Sequence, residues 1–126
     1  MVTSYDKSVW PNNDTPLKEN DMVAVYEDMY PVVDGHLLFV PKQDTAEHQA
    51  EAYRLAIKFG NDCIQDESID GYNVGQNIGV AAGQSIMWPH VHFIPRKEGD
   101  ASPNAANGIR LSHPEGVHIN ETRRQP

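Results

Sequence analysis

Hydrophobic and polar positions change period several times along the chain. From Met22 the run MVAVYED alternates and is rich in Val and Tyr, while GHLLFVPK from Gly35 is a compact apolar run bounded by glycine and proline. Both patterns predict β-strands. The intervening DMYPVVDG holds a proline and ends on Asp34-Gly35, a strong turn signal, so the two strands are expected to pair antiparallel across a loop. In DTAEHQAEAYRLAIKFGNDCIQD the period changes: Asp44 or Thr45 can cap a helix whose one face carries Ala52, Leu55, Ala56, Phe59 and Cys63. His48 falls off that stripe and is read as a surface residue. Beyond it, DGYNVGQNIG reads as a strand entering a loop, AAGQS as a turn and PHVHFIPR as a further strand. Residues 1–21 are polar and hold Pro11 and Pro16, which suggests an irregular lead-in, and the stretch from Lys97 is rich in Gly, Pro and Asn, an extended tail. The expected fold is α+β: one domain over residues 22–126, with a mainly antiparallel sheet and one long helix.

Composition narrows the function. With 126 residues, 39% of them hydrophobic and 22% charged, the chain suits one modest core. Its apolar runs are too short to cross a bilayer, and MVTSYDKSVWPNND lacks the basic-then-apolar layout of a leader, so a cytoplasmic protein with no membrane partner is expected. Cys63 is the single cysteine, read as a buried or half-buried core thiol. A formal charge of −8 argues against a long nucleic acid as partner, because that needs clustered Lys and Arg. A small phosphorylated ligand stays compatible, since a few local donors can hold it.

The chemistry-bearing stretch is WPHVHFIPR. On a strand, Trp88, His90, His92 and Ile94 share one face while Val91 and Phe93 take the other. Burial of Val91 and Phe93 then turns both imidazoles toward a cleft. Each could be structural, satisfied by a backbone carbonyl. They could be two metal ligands, with His36, His113 or His118 as a third, although no carboxylate or cysteine stands at a familiar ligand spacing. Or one could be a nucleophile, an imidazole being mostly neutral at pH 7. The preceding NIGVAAGQS favours the last, because its carboxamides, hydroxyl and glycines suit phosphate oxygens and are poor metal ligands.

These residues resemble the histidine triad superfamily, whose His-x-His-x-His follows an Asn-x-Gly-x-x-x-Gly-Gln-Ser/Thr stretch in its hydrolase branches and often runs into Ile-Pro-Arg. Asn77, Gly79, Gly83, Gln84 and Ser85 match the lead-in, His90 the middle histidine, His92 the third, and Ile94-Pro95-Arg96 the exit. EDMYPVVDGHLLFVPK matches further, and Gly108 to Arg110 is similar to a Gly-Val-Arg near the C-terminus of bacterial members. The likeness runs from Met22 to Arg110. One departure is Trp88 in place of the first histidine, since indole can donate a hydrogen bond but not accept one. Pro89-His90 is also similar to the galactose-1-phosphate uridylyltransferase branch.

The resemblance implies a HIT-like fold and a nucleotide hydrolase cleaving at the α-phosphate of a dinucleoside polyphosphate or a nucleoside phosphoramidate. It implies a covalent nucleotidyl-His90, with His92, Ser85 and Gln84 as further catalytic residues, and Asn77, Asp28, Met29, His36 and Gly83 binding the substrate, Asp28 through the ribose hydroxyls. A homodimer is implied, and neither cofactor nor metal is demanded. Transfer to a phosphorylated acceptor and nonenzymatic nucleotide binding are the alternatives. His113 and His118 receive no role.

Overall fold

The computed structural model describes residues 3–100 and 108–116. The chain divides at Arg96 into two compact units. The larger holds a five-stranded, wholly antiparallel sheet. Its strands are β1 (Lys18–Glu19), β2 (Val23–Glu27), β3 (Leu37–Pro41), β4 (Gly71–Gly75) and β5 (Val91–Arg96), in spatial order β1-β2-β3-β5-β4. Helix α2 (Ala46–Gln65) crosses one face, and a short helix α1 (Val9–Asn13) belongs to the N-terminal segment. The described part of the smaller unit holds a 3-10 turn, Ile109–Ser112, over the Gly108 to Arg110 match; His118 lies outside the described residues. No described helix is long and apolar enough to cross a membrane.

The expected α+β architecture is borne out. Thr45, rather than Asp44, caps α2, its hydroxyl accepting from the His48 amide at 3.0 Å. The predicted helix stripe reaches the sheet: Ala52 and Ala56 are buried with Val23, Val25, Leu37, Phe39, Val91 and Phe93, and Leu55 and Phe59 pack against them. Cys63 is half-buried.

The alternation read into MVAVYED is not what the strand does, for Val23 to Tyr26 are buried in succession. Both faces of the sheet are covered, a situation that replaces alternation with continuous apolar runs. The second face carries Ala24, Tyr26, Leu38 and Val40, and closing over them are Trp88 and, from the presumed irregular lead-in, Trp10. Residues 1–21 thus contain α1, β1 and a buried indole. Pro11 is accommodated because it sits in the first turn of α1, where no intrahelical amide bond is required.

Helix and sheet lie close together at Gly60. A Cβ there would fall 2.5 to 2.7 Å from carbons of the Tyr72 ring. That ring is held on both sides, stacked on Phe93 at 5.3 Å and with its hydroxyl donating to Asn61 Oδ1 at 2.7 Å. Gly60→Ala is therefore expected to destabilise the fold by about 1–3 kcal/mol, the cost of overpacking, against the roughly 1 kcal/mol that alanine would contribute in an open helix. Urea unfolding measures it; a more stable variant would mean that the ring swings aside.

Candidate active site

A cavity of about 420 Å³ opens on the sheet face opposite α2. His90 and His92 line it from β5 and its entry, Asn77, Gly83, Ser85 and Ile86 from the loop between β4 and β5, Asp28, Met29 and Tyr30 from the loop after β2, and Val9, Trp10, Asn13 and Asp14 from the N-terminal segment. Val91 and Phe93 lie in the core under α2, so strand alternation does turn the two imidazoles to the other side.

His90 is buried, and its Nδ1 lies 2.8 Å from the carbonyl oxygen of Trp88. A carbonyl only accepts, so Nδ1 carries the ring hydrogen. Nε2 is then the lone-pair nitrogen of a ring that faces the cavity. Trp10 packs against this ring with centroids 5.1 Å apart.

Three further groups form a chain. The Val32 amide donates to His36 Nδ1 at 3.2 Å, which leaves the hydrogen of a neutral His36 on Nε2. That nitrogen is 2.9 Å from His92 Nδ1 and 3.3 Å from Asp28 Oδ2. Burial lowers the pKa of His36 while the Asp28 carboxylate works against it, so this contact is a neutral N–H on a carboxylate. His92 is pushed down to about 4, first by burial and then by His90 and His36, with Asp28 opposing. With Nδ1 accepting from His36, His92 carries its hydrogen on Nε2.

Asp28, His36 and His92 bring three ligand-type atoms within 4.8 Å of one another, supplying the carboxylate that sequence spacing did not reveal. The proton order nevertheless runs against a metal cage. An ion on His36 Nε2 would force the hydrogen onto Nδ1, facing the Val32 amide.

Two residues expected at the substrate stand elsewhere. His36 is buried behind His92 and does not line the cavity; it orients His92. Gln84 uses its amide within the loop, Oε1 accepting from the Gly79 amide at 2.8 Å and Nε2 donating to the Ile86 carbonyl at 2.9 Å. It shapes the loop that presents Ser85. Gly83 adopts φ +95°, and its missing Cβ leaves the space beside the Asn77 carboxamide, where it would lie 3.6 Å from Nδ2. Trp88 points away from the cavity: the indole is buried and donates to the Pro41 carbonyl at 2.8 Å.

Sequence reasoning missed the N-terminal wall. The available signal was Trp10 itself, a large aromatic in a polar stretch, with Ser8 and Pro11 close by that can start a helix.

The depressed His92 pKa makes stability depend on pH. Between about pH 4 and the ordinary value near 6.5 the unfolded chain binds a proton that folded His92 refuses. The contribution is complete above pH 6.5 and is lost as pH falls toward 4, with a slope of up to about 1.4 kcal/mol per pH unit. Urea midpoints at neutral pH and near pH 5 are expected to separate more for the wild type than for His92→Asn; parallel profiles would remove His92 as the cause.

Residues 11–99 match the family model described as HIT domain. An uncharacterized HIT-like protein of Methanocaldococcus jannaschii is 32% identical over 98 residues, covering 71% of this chain and 76% of that protein. The adenylylsulfatase HINT3 of Arabidopsis thaliana is 35% identical over 91 residues, which are 67% of this chain and 46% of the plant protein, so the chain spans about half the length of that relative. Among solved structures, a zinc-bound histidine triad family protein from Mycobacterium smegmatis superposes with a TM-score of 0.63 at 26% identity, covering 77% of this chain and 76% of that one.

Proposed function

The chain belongs to the HIT domain family, and from that premise we propose that it is a nucleotide hydrolase acting through a covalent nucleotidyl-His90 intermediate. The observation that carries this reading is the 2.8 Å contact from His90 Nδ1 to the Trp88 carbonyl, which leaves Nε2 as the nucleophile of a buried ring lining the cavity. A cavity of about 420 Å³ is of the size that small-ligand sites have. The name of the Arabidopsis relative, an adenylylsulfatase, supports a nucleotide as the substrate.

In this mechanism the Nε2 lone pair attacks the α-phosphorus in line with the leaving group. The Nε2–P bond forms as the bond to the leaving group breaks. His90 then carries positive charge, and its Nδ1–H bond to the Trp88 carbonyl strengthens as a charge-assisted one. A cationic His92, its ring 5.2 Å away, would oppose that charge; the low pKa keeps it neutral. Neutral His92 offers Nε2–H to a phosphate oxygen, and Asn77 and Ser85 offer further donors, in the manner of charge stabilisation by preorganised groups. Asp28 accepts from the ribose hydroxyls and Met29 packs on the base. Water next attacks phosphorus, the Nε2–P bond breaks, and its proton leaves to solvent.

The test is intact-protein mass spectrometry after brief mixing with an adenosine phosphoramidate or a dinucleoside polyphosphate, quenched in base because phosphoramidate bonds are acid-labile. The wild type is expected to gain one nucleotidyl group. Unmodified protein alongside accumulating product would exclude the covalent route, and neither adduct nor product would leave a nucleotide binder.

A further inference from the structure

The cavity is lined by three carboxylates, Asp14, Glu27 and Asp28, and by no lysine or arginine among the described residues. For a site that is to hold a phosphate ester this is an unusual balance, and it is local as well as global, the chain as a whole carrying −8. Asp28 is accounted for by the ribose and by its contact with His36. Asp14 and Glu27 are exposed and come from separate elements, Asp14 closing α1 and Glu27 ending β2. They converge on one cavity with His90, whose ring is only 6% exposed and turns its lone-pair nitrogen to that space.

Resting on the nucleotide reading and deepening it, we propose that Asp14 and Glu27 are specificity-determining residues that select the substrate by the charge of its leaving group. They favour a nucleoside phosphoramidate whose leaving amine carries a further positive charge, and they oppose a polyphosphate chain. Charges lining one cleft act on a bound ligand within a Debye length of about 8 Å at physiological salt, and added salt weakens their effect. A bridging polyphosphate brings several negative charges into this field. A leaving amine with a cationic tail brings the opposite sign. As Nε2 bonds to phosphorus and the P–N bond breaks, the departing nitrogen keeps the electron pair and takes a proton from water to leave as the neutral amine, which takes a second proton from solvent once free. The hydroxide left behind is neutralised when the second water opens the nucleotidyl-histidine and releases its proton.

The experiment compares kcat/KM, in EDTA, for three adenosine substrates differing in the leaving group: a diamine phosphoramidate with a free ammonium tail, a neutral alkylamine phosphoramidate, and a diadenosine polyphosphate. The wild type is expected to rank them in that order. Asp14→Asn with Glu27→Gln is expected to narrow the gap between the charged and neutral amines at least about fivefold, and raising salt should narrow it for the wild type but little for the double variant. Glu47→Gln with Asp62→Asn, which removes the same net charge from α2 on the far side of the sheet, should leave the gap in place. The proposal is overturned if the charged and neutral amines are cleaved equally by the wild type, if the polyphosphate is preferred, or if the α2 control narrows the gap as much. Absence of any turnover or adduct would instead remove the nucleotide reading beneath it.

Discussion

His90→Ala is expected to abolish turnover of nucleotide substrates, with a loss of about 10³–10⁶-fold in kcat, the range seen when a covalent nucleophile is removed. The size follows from the geometry. Among the described residues, His90 alone combines burial, a hydrogen on Nδ1 fixed by the Trp88 carbonyl and a ring that lines the cavity with Nε2 carrying the lone pair. His92 cannot substitute, because its Nδ1 accepts from His36 and its Nε2 carries the hydrogen. The nucleotide itself should still bind, since the ribose, base and phosphate contacts assigned to Asp28, Met29, Asn77 and Ser85 lie on other elements. Steady-state kinetics paired with calorimetric titration of AMP separates the two quantities. Comparable loss of affinity and turnover would make His90 a binding residue, and retained turnover would send the search for the nucleophile elsewhere.

Truncation of Trp88 should weaken the fold strongly. Trp88 is 5% exposed and packs with Trp10, Ala24, Tyr26, Leu38 and Val40. Trp88→Ala is expected to cost about 3–5 kcal/mol, a large share of the roughly 5–15 kcal/mol that holds a typical domain together. Trp88→Phe keeps most of the volume but strips the Pro41 carbonyl of its 2.8 Å donor, for about 1–3 kcal/mol. Adduct formation should survive Trp88→Phe, because the group that fixes His90 is the backbone carbonyl of residue 88 and the indole lies outside the cavity. Urea midpoints and the mass-spectrometric adduct read these separately. A stable Trp88→Phe that forms no adduct would return the side chain to the chemistry.

Trp88, which the resemblance puts in the place of the first triad histidine, makes contacts that are structural. Indole and imidazole both donate, but the Trp88 donor is spent on the sheet. Beside it, His90 holds its tautomer without help from a third imidazole.

Much of this was decided by the sequence alone. The helix stripe of Ala52, Ala56 and Phe59, the turn at Asp34-Gly35 and the split of Val91 and Phe93 from His90 and His92 follow from periods of 3.6 and 2, which are properties of the local backbone. The family likeness was legible for the same reason, as its motif is one contiguous stretch ending in His90 and His92. Tertiary structure alone decided whatever depends on segments distant in the chain. Trp10 reaches His90 from 80 positions away, and it turns a seemingly one-sided strand into one buried on both faces. His36 retreats behind His92, and Asp28 joins them, because the loop after β2 folds back to place Val32 on His36. Gln84 closes its own loop. A residue's type states which hydrogen bonds it can make, and only the folded chain determines which partner arrives to make them.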